Sequence, residues 1–388
     1  MKSEVILEAI GKANDKYIEE AAPREKKFKT YKWIQWCAAA ACLILAVYAG
    51  FRFLPKETVE SGGTVSQSDG ESLPMLTIPS NQTDGEGFEG LMAFDSSELG
   101  DGNPWTVDTQ LDTMPVYKNT AYDSTGTAAS GIGKERMLEL AEQAADALNM
   151  KISDVEYDTN GSVRLVAETD TAKIEVLGWG TVTVSFQESI KLPEEYGFTY
   201  VNPSDEEAGN ATDYLIKKFN AFLSFKKPQK ALFADYTFDG NRNRSYYVYD
   251  ASGDIMEQIL NYNFNKGEFA PDDNGNLMLI RKDNILFSAE KIGDYPMITS
   301  EEALKLMLNG NYITTVPEKM PGKEYVAKTE LVYKTSSANE TYLPYYRFLV
   351  ELPDMRQENG LKTYGAYYVP AVQRKYLTNM PLWDGSFN

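Results

Sequence analysis

Apolar and polar positions are arranged differently in four successive stretches of the chain. A helical repeat occupies residues 1–33, and an almost uninterrupted apolar run follows at 34–54. Residues 55–117 have few apolar positions, whereas residues 118–388 switch between helical and strand-like spacing. A helix repeats its apolar face every three to four residues and a strand every two, so each stretch predicts its own kind of structure.

The first stretch predicts a cytoplasmic amphipathic tail. Four residues share one helical face, since they are spaced by three or four positions: Ile6, Ile10, Ala13 and Tyr17. The opposite face mixes acidic and basic residues, whereas an anionic membrane surface favours lysines. We expect the four residues to bind a cytoplasmic signalling protein, for which a sigma factor is one candidate. A helix lying on the membrane surface is an equally weighted alternative.

The apolar run at 34–54 is long enough to form a transmembrane helix. A helix rises 1.5 Å per residue, and about 20 residues cross about 30 Å of hydrocarbon. Basic residues are frequent before this run, and after Lys56 none occurs until Lys118. The positive-inside rule then places the N-terminus in the cytoplasm and the larger C-terminal part outside. We therefore predict a single-pass protein of the cell membrane, in contact with the lipid bilayer. Cleavage before Gly50 and lipid attachment at Cys42 are the weaker alternatives.

Residues 55–117 predict a disordered acidic stalk. The range is rich in Gly, Ser and Pro, and its twelve acidic residues face one basic residue, Lys56. Such a composition buries too little apolar surface to offset the entropy of ordering the chain.

Residues 118–295 and 296–388 predict extracytoplasmic units of helix followed by antiparallel sheet. One helical face is expected from four residues: Met137, Ala141, Ala144 and Leu148. Alternating segments follow, with a hairpin turn at Asp239 and Gly240. Thr299 and Glu302 form a capping box that starts another helix. The fold class is thus α+β: an amphipathic helix, one transmembrane helix, and repeated helix-plus-antiparallel-sheet units outside.

Composition excludes several kinds of chemistry. The 388-residue chain has no histidine, and its two cysteines lie in the apolar run, so Ser-His, Cys-His and His-zinc sites are excluded. A net charge of −19 argues against nucleic acid as a partner. Calcium binding by the acidic exterior is a minor alternative. We predict no catalytic, cofactor-binding or metal-binding residues.

Three short motifs fail their templates. "SGIGKE" around Gly131 lacks the Ser or Thr and the first glycine of a phosphate loop. "SFKK" places Ser224 three residues before Lys227, and "KTS" at 334–336 loosely resembles a companion motif of a Ser-Lys acylating enzyme, but the remaining motif is absent. The oxygen-bearing residues after Asp239 lack the central glycine of a calcium loop and lie between strands. We interpret these segments as a helix start, a helix end and a hairpin turn.

Aromatic residues are unusually frequent, with 25 tyrosines in clusters such as "YYVYD" and "YLPYYRF". Tyrosine packs well on half-buried sheets, so most of them are expected to be structural. An exposed remainder could bind glycan or peptide, and strand edges could capture a partner segment.

The segments "ITSEEALKLMLNG", "YLPYYRFLVEL" and "YGAYYVPAV", placed outside a single anchor, resemble the PepSY-type and YycH/YycI-type extracytoplasmic regulators of Gram-positive bacteria. The leader "ILEAIGKANDKYIEEAAP" is similar to that of clostridial membrane proteins, some of which resemble anti-sigma factors. The resemblance implies a non-enzymatic sensor or regulator that meets an envelope ligand or protein outside. Two alternatives are an envelope-binding module for glycan or peptide and, more remotely, a carboxylate-dependent wall hydrolase.

Overall fold

The computed structural model of the chain describes residues 72–78, 90–100, 102–122, 131–159, 162–385 and 387. The proposed docking residues Ile6, Ile10, Ala13 and Tyr17, and the transmembrane prediction at 34–54, lie outside these ranges. Chain contacts group Glu71–Asn388 into one compact unit. No helix among the described residues has the length and apolar character needed to cross a membrane.

Strands outnumber helices in the described residues. Four α-helices are present: α1 (Lys134–Ala147), α2 (Asp205–Leu223), α3 (Ile255–Phe264) and α4 (Ser300–Leu308). The strands are β1 (Gly90–Ala93), β2 (Thr113–Asn119), β3 (Ile152–Asp158), β4 (Arg164–Thr169), β5 (Ala172–Leu177), β6 (Val182–Ile190), β7 (Pro228–Tyr236), β8 (Arg242–Asp250), β9 (Lys266–Pro271), β10 (Leu277–Lys282), β11 (Ala289–Pro296), β12 (Ile313–Thr314), β13 (Val326–Tyr333), β14 (Thr341–Tyr342), β15 (Pro344–Leu352) and β16 (Lys362–Pro370).

The predicted fold class, α+β with repeated helix-plus-antiparallel-sheet units outside a membrane helix, is wrong. Sheet dominates the described chain, with sixteen strands against four α-helices. The sheet segments that were expected to form separate units merge, because β6 pairs with β10. Eight strands thereby form one antiparallel sheet in the order β3-β4-β5-β6-β10-β9-β8-β7.

Helices α1 and α2 cover one face of the eight-stranded sheet. Helix α1 buries Met137, Ala141 and Ala144, as its apolar spacing predicts. Helix α2 buries Leu215 and Phe219 and starts with a capping box between its N-cap serine and a glutamate three residues later. Apolar side chains from both helices and from both halves of the sheet belong to one core cluster. The sheet is therefore stabilised by one continuous apolar layer.

Two smaller sheets complete the compact unit. One has the order β1-β16-β15-β13, with β12 also pairing with β16, and the other has the order β11-β2-β14. Helix α4 starts at the predicted capping box, in which Thr299 accepts from the backbone of Glu302 and the glutamate side chain accepts in return. That prediction is confirmed. The segment "NILFSAE" forms a 3₁₀ turn at Ile285–Ser288 and then enters β11.

The prediction of a disordered stalk over 55–117 is wrong for the part of that range which the structure describes. Strand β1 pairs with β16, and β2 pairs with β11. Trp105 is buried and packs edge-on against Tyr346. Pairing with strands distant in sequence therefore satisfies the backbone hydrogen-bonding groups of a segment whose composition alone indicates disorder. The predicted boundaries at 117/118 and 295/296 fall inside β2 and β11.

The tyrosine clusters are mainly structural. Six tyrosines are among the largest fully buried side chains: Tyr246, Tyr295, Tyr342, Tyr345, Tyr364 and Tyr367. Several rings meet edge to face, as Tyr312 does with Tyr367 at 5.1 Å between centroids.

Candidate functional site

A polar pocket of about 280 Å³ lies between the α3–β9 corner and the sheet that contains β13, β15 and β16. Ten of the described residues line it: Tyr262, Asn263, Lys266, Val332, Tyr333, Lys334, Thr335, Ser336, Arg347 and Tyr368. The eight-stranded sheet contributes one wall and the β13–β15–β16 sheet contributes the other. The packing of two sheets thus creates the site.

Two lysines enter the pocket from opposite walls. Lys266 is the first residue of β9, directly after α3, and Lys334 follows the last residue of β13. The Nζ atom of Lys266 is 5.3 Å from the ring centroid of Tyr262, and the Nζ atom of Lys334 is 5.1 Å from that of Tyr368. A ring face attracts a cation through its quadrupole, so the two tyrosines help to place the two ammonium groups.

Arg347 supplies a third cation from β15. Its Nε donates to Glu330 Oε2 at 2.9 Å, and its Nη2 donates to the same oxygen. Lys328 forms an ion pair with the other carboxylate oxygen of Glu330. Since Glu330 is almost fully buried, these pairs fix the guanidinium at the pocket wall rather than leaving it to swing in solvent.

The lining carries positive charge in a strongly acidic protein. Of the ten lining residues that the structure describes, three are cationic and none is acidic, although the whole chain has a net charge of −19. The carboxylate nearest to Arg347, Glu330, is shared between two cations. Because concave surfaces of one sign concentrate field lines, the pocket attracts anions despite the acidic surroundings.

Amide side chains hold the pocket walls in place. Asn263 donates from Nδ2 to Ile259 O at 2.8 Å and accepts from Tyr333 N at 2.9 Å. This pair of bonds ties α3 to the end of β13. Asn263 itself is buried, so its geometry is fixed by these partners.

The loop after β13 forms the rim of the pocket and is held by Asn119 at the end of β2. Asn119 Nδ2 donates to the carbonyl oxygens of Ser337 and Asn339, at 3.1 and 2.9 Å. The hydroxyl oxygen of Ser336 accepts from Ala338 N at 3.2 Å. Hydroxyl and backbone groups at such a rim are suited to contact an oxyanion beside the lysines.

Tyr333 contributes a neutral wall. Its hydroxyl donates to Pro115 O at 2.7 Å. Complete burial, aided by the charge of Asp294 and by Tyr117, raises its pKa well above the ordinary tyrosine value. The phenol therefore stays protonated at physiological pH and adds no negative charge to the pocket.

The motifs weighed from sequence lie elsewhere and serve structure. Ser224 ends α2 in a left-handed conformation, and its hydroxyl donates to Ala221 O at 3.1 Å. Asp239 accepts from Asn241 Nδ2 at 2.8 Å inside the β7–β8 hairpin turn, as expected. Gly131 lies before α1, where the next residue's N–H donates to Gly178 O at 2.8 Å.

Sequence reasoning missed the three cations of the pocket. Lys266, Lys334 and Arg347 share no local motif, because Lys266 lies in β9, Arg347 lies in β15 and Lys334 follows β13, and these segments meet only in the folded chain. Among the described residues, no group of three or more acidic, histidine or cysteine side chains is arranged to hold a metal ion.

No protein-family model, curated protein or solved structure matches this chain. The case for a function therefore depends on the geometry of the pocket together with the sequence.

Proposed function

We propose that the chain is a non-enzymatic binding protein whose folded part takes up a small anionic ligand in the basic pocket, as the sensory part of a membrane-bound regulator. One observation carries the ligand class: Lys266, Lys334 and Arg347 line one cavity, and the other lining residues in the described part of the chain are uncharged. A carboxylate, phosphate or sulfate group has the charge and the acceptor oxygens that such a lining requires.

The dimensions support a small ligand. Pockets for small molecules usually enclose about 300–1,000 Å³, and this cavity of about 280 Å³ is at the lower end. Aromatic rings at Tyr262 and Tyr368 provide apolar surface beside the charges. A compact anion with one or two acidic groups fits these properties better than a polymer does.

The pocket favours binding over catalysis. Among the described residues, its lining contains no carboxylate, histidine or cysteine that would activate the hydroxyl of Thr335 or Ser336 as a nucleophile. Its lysines have aromatic partners, and its arginine is paired with Glu330. Such groups attract and orient an anion without an evident route to bond cleavage.

The regulatory part of the proposal depends on the sequence. Residues 34–54 supply the apolar length for a single-pass anchor, with the N-terminus in the cytoplasm. The amphipathic tail supplies a face for a cytoplasmic signalling protein, and the resemblance to extracytoplasmic regulators supports the same arrangement. An envelope ligand outside would then be the signal.

Thermal unfolding in the presence of anions tests the pocket. We expect citrate or inorganic phosphate to raise the Tm at constant ionic strength, because a ligand that binds only the folded state stabilises it by mass action. The double variant Lys266→Met/Lys334→Met should lose this rise. Lys134→Met is the matched control. Lys134 also lies over a tyrosine ring, with its Nζ atom 5.2 Å from the centroid of Tyr157, but it is the first residue of α1 and not one of the lysines of the pocket. An equal rise in all three proteins would contradict a specific site.

A pull-down tests the tail. Replacing Ile6 and Ile10 with Asp should abolish capture of a cytoplasmic partner while membrane insertion persists, because the charges disrupt the apolar face. Unchanged capture would contradict this part of the proposal.

A further inference from the structure

A second concave surface lies along α2, away from the basic pocket. It is an open groove of about 810 Å³ lined by Tyr196, Asn210, Asp213, Tyr214, Lys217 and Lys218. Five of these residues belong to α2 and recur every three or four positions, so they share one helical stripe. Ala211, Leu215 and Phe219 on the same helix are buried and attach it to the core. The groove therefore has a rigid base.

A tyrosine pair forms the aromatic part of the groove. The rings of Tyr196 and Tyr214 are stacked, with centroids 4.8 Å apart and planes inclined by 27°. Tyr196 comes from the loop before α2 and is held by a turn in which its N–H donates to Pro193 O at 3.0 Å. Both tyrosines are only partly buried. Both rings thus line the groove and also pack against the apolar core.

Polar groups border this aromatic surface. Asp213 accepts from Lys230 Nζ at 2.6 Å, and Lys230 also donates to Gly209 O, which orients the carboxylate. Asn210 and Lys217 are exposed at the rim. Amide, carboxylate and ammonium groups therefore lie on the same stripe as the rings.

We propose that this groove binds a saccharide. A pyranose ring has a face of C–H groups with slight positive charge, which packs on the negative face of an aromatic ring. Its hydroxyl groups both donate and accept, and the rim offers an acceptor at Asp213, a donor at Lys217 and both at Asn210. This site is separate from the basic pocket and does not depend on the function proposed for it.

A nucleic acid strand also stacks on aromatic rings near lysines. The net charge of −19 disfavours the binding of a polyanion, and Asp213 adds a negative charge to the groove lining. The observations therefore favour the saccharide.

Saturation-transfer NMR with the full chain tests the proposal. The probes are chitotetraose as a neutral saccharide, tetragalacturonate as an acidic one, and a tetrathymidylate as the nucleic acid. We expect transfer to ring C–H protons of at least one saccharide. Tyr214→Ala should weaken that binding about tenfold or more, whereas Tyr214→Phe should preserve it, because the ring rather than the hydroxyl makes the contact.

Variants at the rim of the groove test the proposal independently if Tyr214→Ala does not fold. Asn210→Ala and Lys217→Ala replace exposed side chains, so both should fold and both should weaken saccharide binding. Lys266→Met/Lys334→Met should bind saccharide as the parent chain does. Three results would overturn the proposal: no transfer to chitotetraose and none to tetragalacturonate, unchanged binding in Tyr214→Ala and in both rim variants, or binding of the tetrathymidylate alone.

Discussion

Arg347 donates two hydrogen bonds to a single carboxylate oxygen of Glu330, one from Nε at 2.9 Å and one from Nη2. Glu330 is only 1 % exposed, and Lys328 pairs with its second oxygen. One buried carboxylate thus pairs with two cations, of which Arg347 lines the basic pocket. The arrangement links the stability of the β13–β15 pair to the charge of the site, since Glu330 and Arg347 are cross-strand partners.

Glu330→Gln should destabilise the protein by about 1–3 kcal/mol. The amide cannot accept equally from two cations, and both cations lose a charge-assisted partner in a poorly solvated place. Urea-induced unfolding with unchanged m-value would measure the loss. Arg136→Met is the control, because its pair with Glu139 is exposed and should contribute less than about 1 kcal/mol. Equal effects in the two variants would refute the structural role of the buried pair.

Local features of the fold were predictable from sequence. The spacing of Met137, Ala141 and Ala144 identified the buried face of α1, and the Thr299–Glu302 box identified the start of α4. These signals act within one or two turns of chain. They depend on backbone geometry alone, so no knowledge of the remaining fold is needed.

Long-range pairing was not predictable in the same way. Strand β1 lies in a segment of low apolar content, yet Leu91 and Tyr364 are register partners far apart in sequence. The pairing of β6 with β10 joins two groups of strands, each of which the sequence pattern predicts as a separate sheet. The basic pocket depends on such pairings, because Lys266 belongs to the eight-stranded sheet and Lys334 directly follows β13 of another sheet. Their chemistry was visible in the sequence, but their proximity was not.

Tyrosine ionisation should limit stability at alkaline pH. Burial raises the pKa of Tyr246, Tyr247 and Tyr346 to about 12. A group with a raised folded-state pKa contributes stability that is complete below about pH 10, where the phenol is protonated in both states. This contribution is lost as pH rises towards 12, because the unfolded chain ionises first. We expect steep unfolding in that window, followed by phenolate absorbance and circular dichroism.

Tyr246→Phe separates the contribution of the Tyr246 hydroxyl to hydrogen bonding from its contribution to the pH dependence of stability. The Tyr246 hydroxyl donates to Thr199 O at 2.6 Å and accepts from Thr199 N. Its loss should cost about 1 kcal/mol at neutral pH, but the variant should lose less stability between pH 10 and 12 than the parent chain. Titration of every tyrosine near pH 10 without unfolding would contradict the burial argument.

Gly131→Ala should be far more damaging than Gly133→Ala. Gly131 has a φ of +49°, and an added Cβ would lie 1.9 Å from the carbonyl oxygen of Gly178. The left-handed backbone and the clash together should cost on the order of 3 kcal/mol. Gly133 has a φ of −62°, and the nearest atom to its added Cβ is 3.6 Å away, so its substitution should cost less than about 1 kcal/mol. Comparable urea midpoints for the two variants would show that the α1 start tolerates a side chain at Gly131.

Asn119→Ala should weaken anion binding although Asn119 does not line the pocket. Its buried side chain donates to Ser337 O and Asn339 O and accepts from Ala121 N. The substitution leaves these groups without their partner, which should cost about 2–3 kcal/mol of stability. It also releases the rim loop that positions Thr335 and Ser336, so the citrate- or phosphate-dependent rise in Tm should shrink.

Thr120→Ala provides the matched control for Asn119. The Thr120 hydroxyl donates to Ser288 O at 2.8 Å, so its loss also removes a side-chain hydrogen bond at the end of β2 but leaves the rim loop attached. If the anion effect depends on the loop, Thr120→Ala should lower Tm and keep the full ligand-induced rise. Loss of the rise in both variants would mean that general destabilisation, rather than the position of the loop, governs binding.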